Sequence, residues 1–484
     1  MTRRSHAHRR SLVLSLILGA VLLVSAAPAV ADRYEVGSDG SGDPFFPLAG
    51  NGGYDVRHYS LDIEYEPDTD QLTGKTLVVA RTTQNLRRFN LDLREFLTVS
   101  EVRVNGRRAS YRQHMEQELS IDPRPKLKRG RLFVVSVEYS GTAEPVVDPD
   151  EAIEGWVPTD DGAFVVNEPQ GSPGWYAVND TPRDKATFDI EVTVPAGRVV
   201  MSNGILVSRR DQGGKSTWHW VERYPMAPYL ATATNGVFET RFGRLDNGLP
   251  EYNAVDPTTR ENAQSPPNPA LAWQRLEPQP EIVDFFSELY GQYPFESVGG
   301  IFDWAPDVGY SLESQTKANY WRVIGPSTVV HEIAHQWFGN AVTLAYWPDI
   351  WLNEGFATWS EWIYDERHGG PSAQEAFDEL YALDPVADEE AFNDLWFPAP
   401  AALPGPEELF HTPVYDRGAM TLQALRVKVG DEVFFELLRD WYRKNRNGNV
   451  TTADFIAHAE RESGQQLDDF FRVWLYEEGR PESW

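Results

Sequence analysis

From about Tyr54 to Arg244 the chain alternates apolar and polar positions in short runs: Tyr59-Ser-Leu-Asp-Ile-Glu-Tyr65, Leu77-Val-Val-Ala-Arg-Thr82, Leu132-Phe-Val-Val-Ser-Val-Glu-Tyr139 and Phe188-Asp-Ile-Glu-Val-Thr-Val194. Successive side chains of a strand point to opposite faces, so a period of two predicts strands with one face buried. Asn105-Gly106 and Asn203-Gly204 supply turns between such runs. Residues 52–246 therefore read as an all-β domain. Residues 247–280 are proline-rich, with Ser265-Pro-Pro-Asn-Pro269 and Pro278-Gln-Pro280, and read as an irregular crossing between domains. After it the apolar spacing becomes helical, predicting helices over 281–290, 327–338, 352–367, 418–429, 431–445, 452–463 and 467–476, several opened by Ser, Thr or Asp. Residues 384–408, rich in proline and acids, read as a surface loop, and 32–51 as a flexible tail without regular structure. The expectation is an N-terminal all-β, sandwich-like domain followed by a mainly helical domain over 247–484.

Composition and charge sharpen this picture further. With 41% hydrophobic residues, 12% aromatics and 16 Trp, the chain has ample material for packed cores, and its 484 residues suit two or three domains. Residues 1–31 read as a secretory signal: Arg3, Arg4, Arg9 and Arg10 precede an apolar run from Leu12 to Val24, then Ala29-Val30-Ala31 offers a small-residue cleavage site. The run of 13 residues is short of the roughly 20 that cross a bilayer, so no stable membrane insertion is expected after cleavage, and the protein is expected to be secreted or extracytoplasmic. Loss of those four arginines takes the formal charge from −29 down to −33, which repels nucleic acid and leaves no nucleic-acid partner expected. The chain has no cysteine, so any metal must be held by imidazole and oxygen.

His331-Glu332-Ile-Ala-His335 lies inside the predicted helix 327–338. Residues four apart on a helix differ by about 40° of rotation, so both imidazoles leave one face and can grip one ion. Glu332, about 100° from His331, points aside to where a base meets a water. This is a zinc-protease signature, and a third ligand is available in Trp351-Leu-Asn-Glu354-Gly-Phe-Ala357. Eighteen residues separate His335 from Glu354, room for the first helix to end near Gly339-Asn340, cross over and return. Two His and one Glu with a position left for water form an established catalytic zinc set, so one Zn2+ per chain is expected. Glu361, seven residues beyond Glu354, shares its helical face and stands where it can orient a ligand histidine; the alternative is a solvated helix-face charge.

These motifs resemble the aminopeptidase N family, the gluzincin zinc aminopeptidases that include leukotriene hydrolase. The family pattern of His-Glu-x-x-His, eighteen residues and Glu within Trp-Leu-Asn-Glu-Gly-Phe-Ala is reproduced by His331 to Ala357. Similarity extends through Tyr54-Asp-Val-Arg-His-Tyr59, Asp184-Lys-Ala-Thr-Phe-Asp189 and Pro225-Met-Ala-Pro-Tyr-Leu-Ala231. The resemblance implies a thermolysin-like catalytic domain behind the β domain, in a short form without the family's carboxyl-terminal helical domain. It also implies a transition-state tyrosine at Tyr415, in Tyr415-Asp-Arg-Gly418, where Arg417 replaces the family lysine. Recognition of a free amino terminus falls by the same resemblance to Glu313, in Tyr310-Ser-Leu-Glu-Ser314 in place of Gly-x-Met-Glu-Asn, and to Glu168, ahead of Trp175-Tyr-Ala-Val-Asn-Asp180. The altered neighbours of Glu313 leave the fit of the first side chain open.

The implied substrates are peptides with a free N-terminus. Their α-ammonium, with a pKa of about 7.7 to 8.0, would be drawn to two carboxylates beside the metal. Two other readings stay open on residues alone: a thermolysin-type endopeptidase, which also cleaves N-acetylated peptides, and a noncatalytic peptide-binding protein that kept the fold.

Overall fold

Along the strand Ala186–Pro195 the residues Phe188, Ile190, Val192 and Val194 are buried while Thr187, Asp189, Glu191 and Thr193 between them are partly exposed, as the alternation predicts. The computed structural model describes residues 33–482, so the signal segment 1–31 lies outside the described residues. The alternating runs build one eight-stranded sheet. Its strands are β1 (Tyr54–Glu66), β2 (Gln71–Thr82), β3 (Thr98–Val104), β4 (Arg107–Arg108), β5 (Leu132–Thr142), β6 (Ala186–Pro195), β7 (Ile205–Gln212) and β8 (Lys215–Met226), in the order β7-β8-β6-β1-β2-β5-β3-β4. All neighbours are antiparallel except β6 and β1, which run parallel with Phe188 opposite Tyr59. Smaller sheets of four and five strands complete this β-rich half.

The segment 32–51, expected to be an unstructured tail, is instead packed over its described part. Glu35–Val36 pairs in parallel with Leu86–Asp92. The Asp43 carboxylate accepts from the N–H groups of Phe45 and Phe46 and, at 2.9 Å, from that of Trp347, while the Phe46 ring meets Trp347 edge-on. These contacts run through backbone groups and one aromatic ring, neither of which produces a periodic sequence signal.

The expected boundary at 246/247 falls in the turn of a hairpin between β9 (Glu239–Arg244) and β10 (Pro250–Val255). This hairpin continues into β11 (Gly300–Phe302) and β12 (Ala318–Tyr320), so the strand pairing runs across the composition shift. Ten helices follow among the described residues: α1 (Pro269–Leu276), α2 (Gln279–Tyr290), α3 (Pro326–Ala334), α4 (Trp351–Arg367), α5 (Ala373–Tyr381), α6 (Glu389–Trp396), α7 (Gly418–Val429), α8 (Asp431–Asn445), α9 (Thr452–Ser463) and α10 (Asp468–Phe471). Five depart from expectation: α5 lies where no helix was expected, and α10 is a four-residue helix continued by a π turn over Arg472–Tyr476 where one helix over 467–476 was expected. Helix α1 lies in the stretch read as irregular: Asn268 caps it by accepting from the Leu271 N–H, and Pro269 takes the first position, where no N–H is needed. Helix α6 lies in the acidic insert read as a loop and buries Leu395 and Trp396. Helix α3 ends at Ala334, not 338.

One contiguous hydrophobic core runs through both halves, with the Tyr229 ring from the β half meeting Trp347 at 5.3 Å. No helix among the described residues is long and apolar enough to cross a membrane.

Candidate metal centre

Helix α3 opens on Pro326 and carries His331 and Glu332; His335 is its C-cap, still in helical conformation, with its N–H donating to the His331 carbonyl. The four-residue spacing therefore keeps its helical meaning although the helix itself stops one residue earlier. The chain then doubles back through Gly339, at φ +126°, where a Cβ would stand 3.0 Å from His335 Nδ1. Glycine is required there, and the turn brings the Phe338 carbonyl to accept from His335 Nδ1 at 3.0 Å. After the crossover, α4 delivers Glu354. Its Oε2 lies 3.1 Å from His331 Nε2 and 3.3 Å from His335 Nε2. Two turns further along α4, Glu361 Oε1 lies 2.7 Å from His331 Nδ1, which is the orienting contact expected from the seven-residue spacing.

Both imidazoles thus spend Nδ1 on a fixed acceptor and turn Nε2 toward one carboxylate oxygen, and the three ligand atoms lie within 4.8 Å of one another. Burial works to raise the Glu354 carboxyl, yet His335 and His331 pull it down to about 2. Burial opposes charge on His335 as well, but Glu354 and Glu313 raise it to about 9. The carboxylate and the imidazoles thus each favour the charged form of the other. The other base in its lining, Arg322, donates to the Glu261 carbonyl and lies over the Trp321 ring. Three convergent ligands of the two-His, one-Glu type fit a zinc ion. We expect Glu361→Ala to weaken zinc affinity about 10–100-fold, read by competition against a chelator; unchanged affinity would return Glu361 to the role of a solvated helix charge.

Three further acids and a tyrosine complete a pocket of about 310 Å³ and its neighbour. Glu332 is 5% exposed, and burial raises its carboxyl to about 8 against the pull of both histidines; a dication alongside would lower it again. Glu313 is 2% exposed; its backbone carbonyl is held by Gln336 Nε2 at 3.0 Å and Asn340 Nδ2 at 2.8 Å, and one carboxylate oxygen has no partner. Glu168 is 6% exposed and also keeps one unpartnered oxygen. Its neighbour Asn167 accepts from the Trp175 indole and donates to the carbonyl of Ala231, so the Trp175 and Pro225-to-Ala231 stretches fix where Glu168 stands. Burial raises Glu168 well above the carboxylate range, and the fields of Glu313, Glu354 and Glu332 add to it.

Tyr415 sits in a π turn, Pro413–Arg417, leading into α7. Its ring centroid is 6.1 Å from that of His331. Burial, then the fields of Glu354 and Glu168, holds its hydroxyl well above the usual phenol range, so it remains a hydrogen-bond donor. Arg417, the departure from the family lysine, points away from this pocket. It is fully buried and donates to the carbonyls of Trp396, Val473, Trp474 and Glu477, four acceptors that the guanidinium fork can serve and an ammonium cannot.

The approach of Tyr415 to α4 depends on two glycines that motif reading passed over. A Cβ on Gly355 would meet Gly418 backbone at 2.8 Å, and one on Gly418 would meet Gly355 Cα at 2.9 Å. Because neither residue has one, the tyrosine turn rests directly on the helix that carries Glu354. Gly355→Ala should cost about 1–3 kcal/mol of stability, seen as a lower denaturant midpoint, and should depress turnover by moving Tyr415 outward. Full activity in that variant would mean that the close approach is not needed.

Sequence comparison places the chain among known proteins. Residues 56–230 match the family profile described as the Peptidase M1 N-terminal domain, and residues 308–474 match the Peptidase family M1 domain. Aminopeptidase M1-D of Oryza sativa subsp. japonica is 27% identical over 330 residues, covering 62% of this chain and 35% of that protein. Probable aminopeptidase 1 of Sulfurisphaera tokodaii is 24% identical over 431 residues, covering 80% and 49%. The chain thus spans a third to a half of the length of these curated relatives. The M1 zinc metallopeptidase from Deinococcus radiodurans superimposes with a TM-score of 0.79 at 28% identity, covering 92% of this chain and 98% of that one. A structure of a point mutant of that metallopeptidase is bound to a Tyr-Ser-Ala substrate.

Proposed function

The chain belongs to the M1 peptidase family, and from that premise we propose that it is a zinc-dependent aminopeptidase that removes residues from the free amino termini of peptides. His331, His335 and Glu354 would hold the zinc. When bound, zinc supplies a Lewis acid that polarises a carbonyl and makes a water acidic near neutrality.

The chain's own groups do the rest. The Glu332 carboxylate takes a proton from the attacking water and returns it to the departing amine nitrogen. The Tyr415 hydroxyl donates to the oxygen on which negative charge develops. Glu313 and Glu168 accept hydrogen bonds from the substrate's α-ammonium, which places the first peptide bond, rather than an internal one, beside Glu332.

The observation that carries the exopeptidase reading is the pair of buried carboxylates, Glu313 and Glu168, each with an oxygen that no protein group satisfies. Buried unpaired carboxylates are costly, and a substrate ammonium satisfies both. The Tyr-Ser-Ala peptide held by the Deinococcus radiodurans relative supports peptides as the substrate class. Paired peptides with free and N-acetylated termini test the reading: the free peptide should be shortened by one residue at a time and the blocked one spared. Cleavage of both at internal bonds would make the protein an endopeptidase.

The segment 1–31 supports export, with the mature chain working outside the cytoplasm. Its charge of −33 speaks against nucleic-acid partners.

A further inference from the structure

Beside the metal pocket, and sharing Tyr310, Ser311 and Tyr415 with it, lies a second cavity of about 230 Å³. Its walls are mostly apolar or aromatic, from Ala152, Val308, Phe410 and the two tyrosine rings. Glu168 lines it as well, so the carboxylate that would hold the α-ammonium stands on the cavity's own wall. The second acid of the lining is Asp150, partly exposed, one oxygen of which accepts from the Ala152 N–H at 3.0 Å. Among the described residues the lining contains no Lys, Arg or His.

Behind the wall stand two more acids that share a hydrogen bond, burial and the field of Asp148 holding the Glu154 carboxyl well above the carboxylate range. Glu154, fully buried, and Asp148 lie close enough that, after burial itself, they act together with Glu168 and Asp150 to raise the Tyr310 hydroxyl well above its usual range. That hydroxyl and the Ser311 Oγ are buried without hydrogen-bond partners, leaving polar atoms at the junction of the two cavities ready for a guest.

A substrate whose amine rests on Glu313 and Glu168, as the proposed aminopeptidase reading requires, sends its first side chain from the neighbouring α-carbon toward the cavity that Glu168 also lines. A long side chain with a cationic head matches what it meets there. Methylenes lie along apolar walls, the head is attracted by aromatic faces, and Asp150 offers a carboxylate. A neutral aliphatic side chain leaves the Asp150 carboxylate unanswered, and an acidic one is repelled by it. We propose that this cavity receives the first side chain of the substrate, that it selects arginine and lysine, and that Asp150 is the specificity-determining residue.

The test is a panel of chromogenic aminoacyl substrates, with Arg, Lys, Leu, Phe and Glu as the amino acid, each offered free and N-acetylated to the zinc-loaded protein. The Arg and Lys substrates should exceed Leu, Phe and Glu in kcat/KM by about tenfold or more, the equivalent of one favourable charge contact. Asp150→Asn should reduce the Arg-to-Leu ratio of kcat/KM by about tenfold, and Asp150→Arg should lift the Glu substrate above the Arg substrate. A wild-type preference for Leu or Phe, or an Arg-to-Leu ratio that neither variant moves, would overturn the assignment while leaving the aminopeptidase reading standing. If no free aminoacyl substrate is hydrolysed, or the N-acetylated ones are hydrolysed equally well, the aminopeptidase reading fails and this inference falls with it.

Discussion

Glu332→Gln is expected to retain one zinc per chain and to lose about 10²–10⁴-fold in kcat. The side chain is not one of the three convergent ligands, and His331, His335 and Glu354 meet without it. Its shape survives in glutamine, so the pocket should stay packed around a residue that is only 5% exposed. What disappears is the ability to take a proton from water and return it to the leaving nitrogen. The loss should therefore fall on turnover, with KM nearly unmoved, because the proton transfers occur in the transition state and not in the bound ground state. Metal analysis and steady-state kinetics on the same preparation check it. A variant that loses zinc would make Glu332 a ligand, and one that keeps full turnover would remove it from the chemistry.

Tyr415→Phe should cost about 10²–10³-fold in kcat with a far smaller change in KM. The ring is positioned by the direct backbone contact between Gly355 and Gly418 and by Arg417, whose four carbonyl partners anchor the end of the π turn. Phenylalanine preserves that packing and removes a single donor. Because burial and the surrounding carboxylates hold the hydroxyl protonated, it is available to donate across the neutral pH range, and the loss on substitution should be nearly independent of pH there. A variant with raised KM and intact kcat would recast Tyr415 as a residue that only holds substrate.

The proposed ligand set was legible in the chain because helix geometry writes it there. His331 and His335 lie one turn apart, and Glu354 and Glu361 lie two turns apart on α4, so each pair's shared face follows from spacing alone. Tyr415, Glu313 and Glu168 were reached only through family resemblance, since they come from a π turn and two loops that have no period to read. The Phe338 carbonyl on His335, the Gly355–Gly418 contact and the cavity around Asp150 and Phe410 went unread for a related reason. Each is a tertiary meeting of residues that are unremarkable in their local sequence.

The strands of the large sheet were readable because one face of each is buried, whereas the segment 32–51 hid its order in hydrogen bonds such as those to Asp43. In α6, acids crowd the first turn, and only Leu395 and Trp396 reach the core. Proline content changes at 246/247, while the strand pairing of β9 with β10 runs straight across it.

The claim on which the account rests is that His331, His335 and Glu354 close around one zinc ion. The most direct measurement is zinc content by elemental analysis of the purified protein beside Glu354→Ala, with peptide hydrolysis followed through chelation and zinc restoration. One zinc per chain in the wild type, loss of most of it in the variant, and activity that leaves with the metal and returns with it are the predicted results. Stoichiometric zinc in Glu354→Ala, or hydrolysis that persists in a fully metal-stripped protein, would contradict the account.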